Sequence, residues 1–231
     1  HEGERAAAHG RARFRAATTI GTDGDAFARA LGARLDMAEA RRIQYLREIP
    51  PGAIAALRAS AAQAAAGYSL VSWDGPVPDE YCAQIAEVFN AYNDAPHGED
   101  KEPEVWDADR IRERTGTLVR AGLMRAHSVA AVCDSTGEVA GYTEVHIDPE
   151  SPQWGFQQLT AVTRLHRGHR LGLLTKTAML ELLAAAEPQV EWIATGNAVS
   201  NEHMIAVNEQ LRYKVVEPGW HFYEMPVADM R

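Results

Sequence analysis

Between Arg164 and Leu173 the chain reads RLHRGHRLGL, a turn in which Gly168 and Gly172 are set among Arg167, His169 and Arg170. Glycines let a backbone turn sharply and approach a ligand closely. The β-compatible residues Leu159, Ala161 and Val162 precede the turn. Apolar residues Leu173, Leu174, Ala178, Met179, Leu182 and Leu183 follow it at helical spacing. A strand that turns through glycines into a helix leaves backbone N–H groups unpaired at the positive end of the helix dipole, which makes an anion site. The chain carries 32 Asp and Glu residues, yet none lies between Ser151 and Leu180. Arg164, His166, Arg167, His169, Arg170 and Lys176 occupy that gap. A local basic patch in an acidic chain points to one specific anion rather than a polyanion. Basic residues of an ordinary connection that face water would leave the same pattern.

A second group could move protons. In GYTEVHID, Glu144 and His146 are two residues apart and share one strand face with Tyr142. Burial on a central strand raises a glutamate pKa towards the range where it works as a general base, with His146 the second choice. The same spacing would also suit an exposed pair.

The elements that must hold these residues follow from periodicity and punctuation. Tyr68 to Trp73 reads as a strand, Asp79 to Tyr92 and Ala108 to Gly122 as helices. Ser128 to Cys133 and Val139 to Ile147 flank Asp134-Ser135-Thr136-Gly137, a hairpin signature. Phe156 to Val162 supplies the strand before the glycine turn. Val190 to Thr195 is a further strand, Asn201 to Gln210 a helix, and Tyr213 to Val216 with His221 to Val227 a closing strand pair. Together these give an α+β fold with a mixed sheet. Ahead of Gly67, Glu2 to Arg15 reads as a helix, Asp25 to Leu31 as a helix capped by Gly32, and Ala53 to Ala66 as a helix or linker. Ala33 to Tyr45 fits either a strand pair or a continuing helix.

Composition narrows the function. The 231 residues suit one large domain or one and a half ordinary ones. The net charge of −9 argues against general nucleic-acid binding. No apolar run approaches the roughly 20 residues of a membrane span, and the first residues lack the apolar core of a signal peptide. Cys82 and Cys133 read as small core residues with neither a disulfide framework nor metal-ligand spacing, so no metal and a reducing, cytoplasmic setting are expected.

The segment V-T-R-L-H-R-G-H-R-L-G, Val162 to Gly172, resembles the pyrophosphate-binding motif of the GNAT superfamily of acyl-CoA-dependent N-acyltransferases, V-x-P-x-[YH]-R-G-x-G-[IL]-G. Asn201 to Tyr213, N-E-H-M-I-A-V-N-E-Q-L-R-Y, is similar to the family's second cofactor motif, N-x-x-A-x-x-x-Y-x-x-x-G-F. The element order from Tyr68 to Val227 also matches. The resemblance implies a GNAT fold over residues 67–231 and acetyl-CoA as cosubstrate. It implies direct acetyl transfer to a primary amine of a small-molecule acceptor in a ternary complex.

It also assigns roles. The amides of Gly168, His169, Arg170, Leu171, Gly172 and Leu173 would cradle the pyrophosphate, with the Arg167 and Arg170 side chains adding charge. Thr160, Ala161 and Val162 would line the pantetheine arm, a backbone N–H there polarising the thioester carbonyl. Asn201 would contact the same arm, or merely cap its helix, as Ser200 could equally do. Two positions depart from the pattern. Arg170 stands where the family has a glycine, and helical backbone angles would still let its N–H reach the phosphates. Asn208 stands where many relatives carry a tyrosine proposed to protonate the leaving thiolate; an amide can hydrogen-bond sulfur but cannot be an acid. A CoA-binding sensor or scaffold without catalysis is therefore the alternative. An NTP-binding loop is excluded by the missing Gly-Lys-Ser/Thr ending.

The acidic loop Asn93 to Glu104, with His97, Glu99 and Asp100, would rim the acceptor site in this fold. A homodimer would meet at the closing strands. Ala26 to Tyr45 resembles Met204 to Tyr223 at a spacing near 178 residues. That makes residues 1–66 the partial end of a preceding GNAT-like domain plus linker, or else a helical extension.

Overall fold

Every residue of Val139–Ile147 (β5) is buried, which requires cover on both faces of the strand. The computed structural model, which describes residues 5, 6, 8–94 and 104–229, supplies it. The other strands are Arg13–Thr19 (β1), Arg34–Tyr45 (β2), Tyr68–Asp74 (β3), Arg125–Cys133 (β4), Trp154–Val162 (β6), Trp192–Ala198 (β7) and Lys214–Pro226 (β8). They form one eight-stranded sheet in the order β1-β8-β2-β7-β6-β5-β4-β3. All neighbours are antiparallel except β6 and β7. The helices are Asp23–Ala30 (α1), Ala53–Ala64 (α2), Asp79–Ala91 (α3), Ala108–Arg120 (α4), Leu171–Ala186 (α5) and Glu202–Gln210 (α6). The expected α+β class, with a mixed and mostly antiparallel sheet, is what the chain adopts. Among the described residues no helix is long and apolar enough to cross a membrane.

Strand alternation sorts the core into two layers. Val129, Ala131, Val145 and Ile147 turn to the face covered by α2, α5 and α6, where Leu171, Leu174, Met179, Leu183, Val207 and Leu211 meet them. Ala130, Val139 and Tyr142 turn to the face covered by α3 and α4, against Ile85, Val88, Phe89 and Ile111. Each large apolar side chain buried on α5 contributes roughly 1.5–3 kcal/mol. Leu183→Ala, in the middle of that face, would cost about 2–5 kcal/mol.

The sheet is continuous but not uniformly paired. β6 and β7 pair in parallel only where Trp154, Gly155 and Phe156 face Trp192, Ile193 and Ala194. Beyond that point β6 pairs with β5 alone, and β7 with β2 alone. A wedge therefore opens between Gln157–Val162 and Thr195–Ala198, with its apex at Gln157 and its mouth beside the start of α5.

The residues ahead of Gly67 belong to the same sheet. Arg13 to Arg15, expected to be helical, are strand, because β1 pairs with β8 from Arg13 opposite Pro226 to Thr19 opposite Trp220. Ala33 to Tyr45, for which a strand pair or a helix was open, is one long strand, β2, held between β7 and β8. Lys214–Pro226 is likewise a single strand, β8, not the expected closing pair. β8 carries on through Pro218-Gly219, where its register with β2 shifts between Val216 and Trp220 and its pairing with β1 begins at Trp220, and Gly219 lets the Glu39 carbonyl approach where a Cβ would collide.

Two strand–helix–strand units interlock here. β1-α1-β2 straddles β8, and β7-α6-β8 straddles β2. The expected helix over Asp25 to Leu31 is α1, with Gly32 at φ 76 after its C-cap Leu31; Arg212 at φ 62 follows the C-cap Leu211 of α6 in the same way.

Candidate active site

Backbone geometry at the mouth of the wedge comes from the turn into α5. Gly168 has φ 89, and Arg170, the N-cap of α5, is left-handed at φ 56 and ψ 23. Right-handed helical angles at Arg170 are thus not adopted. The chain needs the conformation that a glycine takes freely, and a side-chain-bearing residue accepts it at a cost of about 1–2 kcal/mol. The helix then starts without a side-chain cap, and its first backbone hydrogen bond runs from Leu174 N–H to the Arg170 carbonyl. Among the described residues the N–H groups from Gly168 to Leu173 have no acceptor. A Cβ on Gly172 would lie 3.8 Å from Thr160 Cγ2, so this amide cluster abuts the unpaired edge of β6. Unpaired amides at a helix start, continuous with a free strand edge, fit a phosphate joined to an amide-bearing arm.

The side chains around the cluster are differently engaged from the expected charge clamp. Arg167 donates to Asp94 at 2.8 Å, and Arg164 donates to the same carboxylate at 2.9 Å. Hydrogen bonds from Arg164 and Arg167 lower the Asp94 pKa. Arg170 reaches away to Ser60 Oγ at 2.8 Å and Gln210 Oε1 at 3.0 Å, bridging α2 and α6. His169 is exposed, its ring 5.3 Å from that of Tyr68. Asn201 caps α6 by accepting from Met204 N–H at 3.1 Å; Ser200 does not take that place. His97, Glu99 and Asp100 lie outside the described residues.

At the apex, β5 brings Glu144 to the α3/α4 face. Its carboxylate is fully buried and accepts from Arg114 of α4 at 2.8 Å. His146 Nε2 lies 3.1 Å from Glu144 Oε1, yet neither atom has an aligned hydrogen-bond partner. Burial pushes the Glu144 pKa up, but the polar His146 ring close beside it and the Arg114 charge outweigh it, leaving the carboxyl below its ordinary value. That reverses the expected rise, and the reason is the His146 ring together with the Arg114 guanidinium. Gln157, at the apex, donates to the Glu144 carbonyl at 2.7 Å, and Val145 and His146 pair opposite Gln157 and Phe156, so Glu144 and His146 lie on the strand next to the point where β6 and β7 part.

Asn208 approaches the apex from the other face. It is fully buried, donates to Asn197 Oδ1 of β7 at 2.7 Å, and accepts from Lys176 Nζ of α5 at 2.7 Å. Sequence reasoning assigned no role to Arg114 or Asn197, and counted Lys176 only as part of the basic patch. Lys176 carried a signal, since it lies four residues after Gly172 and so shares the helix face that meets β6. Arg114 lies between Ile111 and Thr115, both buried, which marks its face as inward. Among the described residues no three His, Cys, Asp or Glu side chains gather where they could hold a metal ion.

This architecture was compared with known proteins. No protein-family model matches the sequence, and no curated protein sequence does. Among solved structures, a tandem GNAT protein from the clavulanic acid biosynthesis pathway, determined without acetyl-CoA, is 32% identical with TM-score 0.72. The match covers 97% of this chain and 67% of that one. The chain belongs to the GNAT superfamily. Two GCN5-related N-acetyltransferases share the fold. One, from Sphaerobacter thermophilus, has TM-score 0.62 at 14% identity over 96% of this chain and 64% of its own. The other, from Kribbella flavida, has TM-score 0.51 at 14% identity over 96% and 71%. As a GNAT-type acyltransferase, the chain departs from the family pattern in its glycine turn, where Arg170 takes the left-handed angles itself, and on α6, where Asn208 is held in a buried polar chain.

Proposed function

We propose that this GNAT chain transfers an acetyl group from acetyl-CoA to a primary amine of a small-molecule acceptor, directly and in a ternary complex. One juxtaposition carries the reading. The free β6 edge runs from the unpaired amides of α5 to an apex beside which Glu144 Oε1 and His146 Nε2 are buried without aligned hydrogen-bond partners. Buried polar atoms left unpaired are costly, and an amine's N–H groups would satisfy both.

In this reading the amides from Gly168 to Leu173 bind the pyrophosphate, and Thr160, Ala161 and Val162 line the pantetheine arm. The Asn201 side-chain nitrogen, free of its capping duty, reaches the same arm. Acetyl-CoA supplies an activated acetyl group. His146 takes the proton from the amine, and Glu144, held ionised by Arg114, stabilises the imidazolium that results. An acidic rim would favour cationic amines. A cytoplasmic setting accords with two free, buried cysteines.

Calorimetry tests this first. Wild type is expected to bind acetyl-CoA with micromolar affinity, and Gly172→Trp, whose indole would fill the space beside Thr160, to lose it. A panel of primary amines then separates enzyme from sensor: acetylated product is expected with wild type. A folded wild type that ignores acetyl-CoA would overturn the reading; binding without transfer to any amine would leave the sensor.

The domain arrangement is proposed with it: residues 67–231 as the GNAT domain, 1–66 as the end of a preceding GNAT-like domain. The interlocked units support this. Phe27, Leu31 and Leu35 are exposed, whereas Val207 and Leu211, at the corresponding places in the second unit, are buried under α5. An α5-like helix of the first domain would cover the exposed face. β8 has β1 and β2 on either side, so a homodimer would form elsewhere than at that strand's edges. Hydrogen exchange should be faster in α1 than in α6 for this chain, and equally slow in a longer polypeptide that carries the first domain. No slowing of α1 there would count against the arrangement.

A further inference from the structure

The Lys176 ammonium is only 3% exposed on the α5 face that meets the sheet. With Gln44, Gln157, Ile193, Leu211 and Tyr213 it lines a small cavity at the point where β6 and β7 part. Among the described residues it has no counter-charge. β2 presents Gln44, β6 Gln157, β7 Ile193, α6 the amide of Asn208, and β8 is preceded by Tyr213. Tyr213 titrates, but burial pushes its phenol far up, so it stays neutral. Among the described residues Asn208 Oδ1 is the one hydrogen-bond acceptor for Nζ, and the Tyr213 ring lies 4.7 Å away. An ammonium offers three protons, so two remain without a partner. An isolated buried charge is expensive unless something negative answers it.

We infer that Lys176 receives the leaving thiolate of the acyl donor, supplying the positive charge, and then the proton, that Asn208 cannot. The inference rests on the acyl transfer proposed above. As the new C–N bond completes, the C–S bond breaks and its electron pair stays on sulfur. Nζ–H gives a proton to that sulfur, leaving a neutral amine and a free thiol. The lysine recovers its proton from the one His146 removed from the acceptor, through solvent once product departs. Nothing is oxidised or reduced. Burial lowers the lysine pKa from 10.5 to about 7, so near neutral pH the group can both give up and regain a proton. Asn208 positions the ammonium, and Asn197 fixes the Asn208 amide by accepting from its nitrogen.

The test needs no knowledge of the acceptor. Affinities of free CoA and desulfo-CoA are measured by calorimetry at pH 7 on wild type and on Lys176→Met. Wild type is expected to prefer CoA by about tenfold or more, the worth of a charge-assisted hydrogen bond. Lys176→Met is expected to bind both alike. Equal affinities in wild type would overturn the inference while leaving the cofactor reading intact, and so would a preference that survives in the variant. Binding of neither ligand by folded wild type would remove the cofactor reading and this inference with it. Intact-mass detection of an acetyl group on Lys176 itself, after incubation with acetyl-CoA, would also overturn it, because the amine would then be an acceptor.

Discussion

The two sides of the wedge handle charge in opposite ways. On the α3/α4 side Glu144 is buried, but Arg114 pairs with it and His146 lies beside it, so a charged carboxylate is sustained without water. On the α5/α6 side Lys176 is as deeply buried with only a neutral amide and an aromatic ring for company. The first side keeps its charge at neutral pH; the second holds one that is half released. Surroundings, not depth of burial, decide the protonation state. A site that must take up one proton and give out another needs that asymmetry.

Removing the charge-holding side should have the largest effect. Glu144→Gln is expected to slow transfer by roughly 10²–10⁴-fold with acetyl-CoA binding unchanged, measured by steady-state kinetics beside calorimetry. An equal loss of binding would mean that the carboxylate holds the site together rather than serving the chemistry.

The other side should show its cost in stability. A lysine whose folded pKa is lowered binds its proton less readily folded than unfolded. The penalty is therefore complete below about pH 7 and fades as pH rises towards 10.5. Lys176→Met should stabilise the fold by ~4 kcal/mol at pH 6 and by progressively less up to pH 10. Chemical denaturation across that range would show it; a pH-independent gain would mean that burial does not lower the lysine pKa.

Arg114→Ala sharpens the contrast by making the first side resemble the second. Breaking a buried pair from one end costs about 3–5 kcal/mol when both ends are enclosed. Arg114 is partly exposed, so about 2 kcal/mol is expected by thermal denaturation. The Glu144 pKa should rise, since burial would then be opposed by His146 alone, and NMR of the labelled carboxyl would report the direction. In wild type this lowered pKa stabilises the fold above the ordinary glutamate value of 4.5, and the contribution is lost as pH falls through the folded pKa.

The smallest effect concerns the turn that feeds both sides. Arg170→Gly removes the left-handed strain, worth about 1–2 kcal/mol, but loosens the unfolded chain and forfeits the bonds to Ser60 and Gln210. The melting temperature should move by only a few degrees, with acetyl-CoA affinity retained.

What was legible in the sequence was local. The glycine turn, the helix after it and the β4–β5 hairpin each carry their signal within a few residues, and each is present. Glu144 was legible as a position on a strand but not as an ionisation state, because Arg114 arrives from a separate helix. Pro218-Gly219 reads as a turn in any short window, yet β8 continues past it, paired with β2 on both sides of a register shift. The ambiguity of Ala33 to Tyr45 has the same origin. Its partners Trp192–Ala198 and Lys214–Glu224 lie far along the chain, and the strand is defined by them rather than by its own residues.

That interlocking also sets a timetable for making the molecule. β1 pairs only with β8, and β2 only with β7 and β8, so nothing the first 45 residues need for pairing exists until the last 40 or so have left the ribosome. β1 and β2, made before β3 to β6, must wait as unpaired edges while β3 to β6 can already assemble. Such long-range closure is slow and exposes strand edges to wrong partners. Losing β8 would therefore strip β1 of its only partner and β2 of one of its two among the described residues.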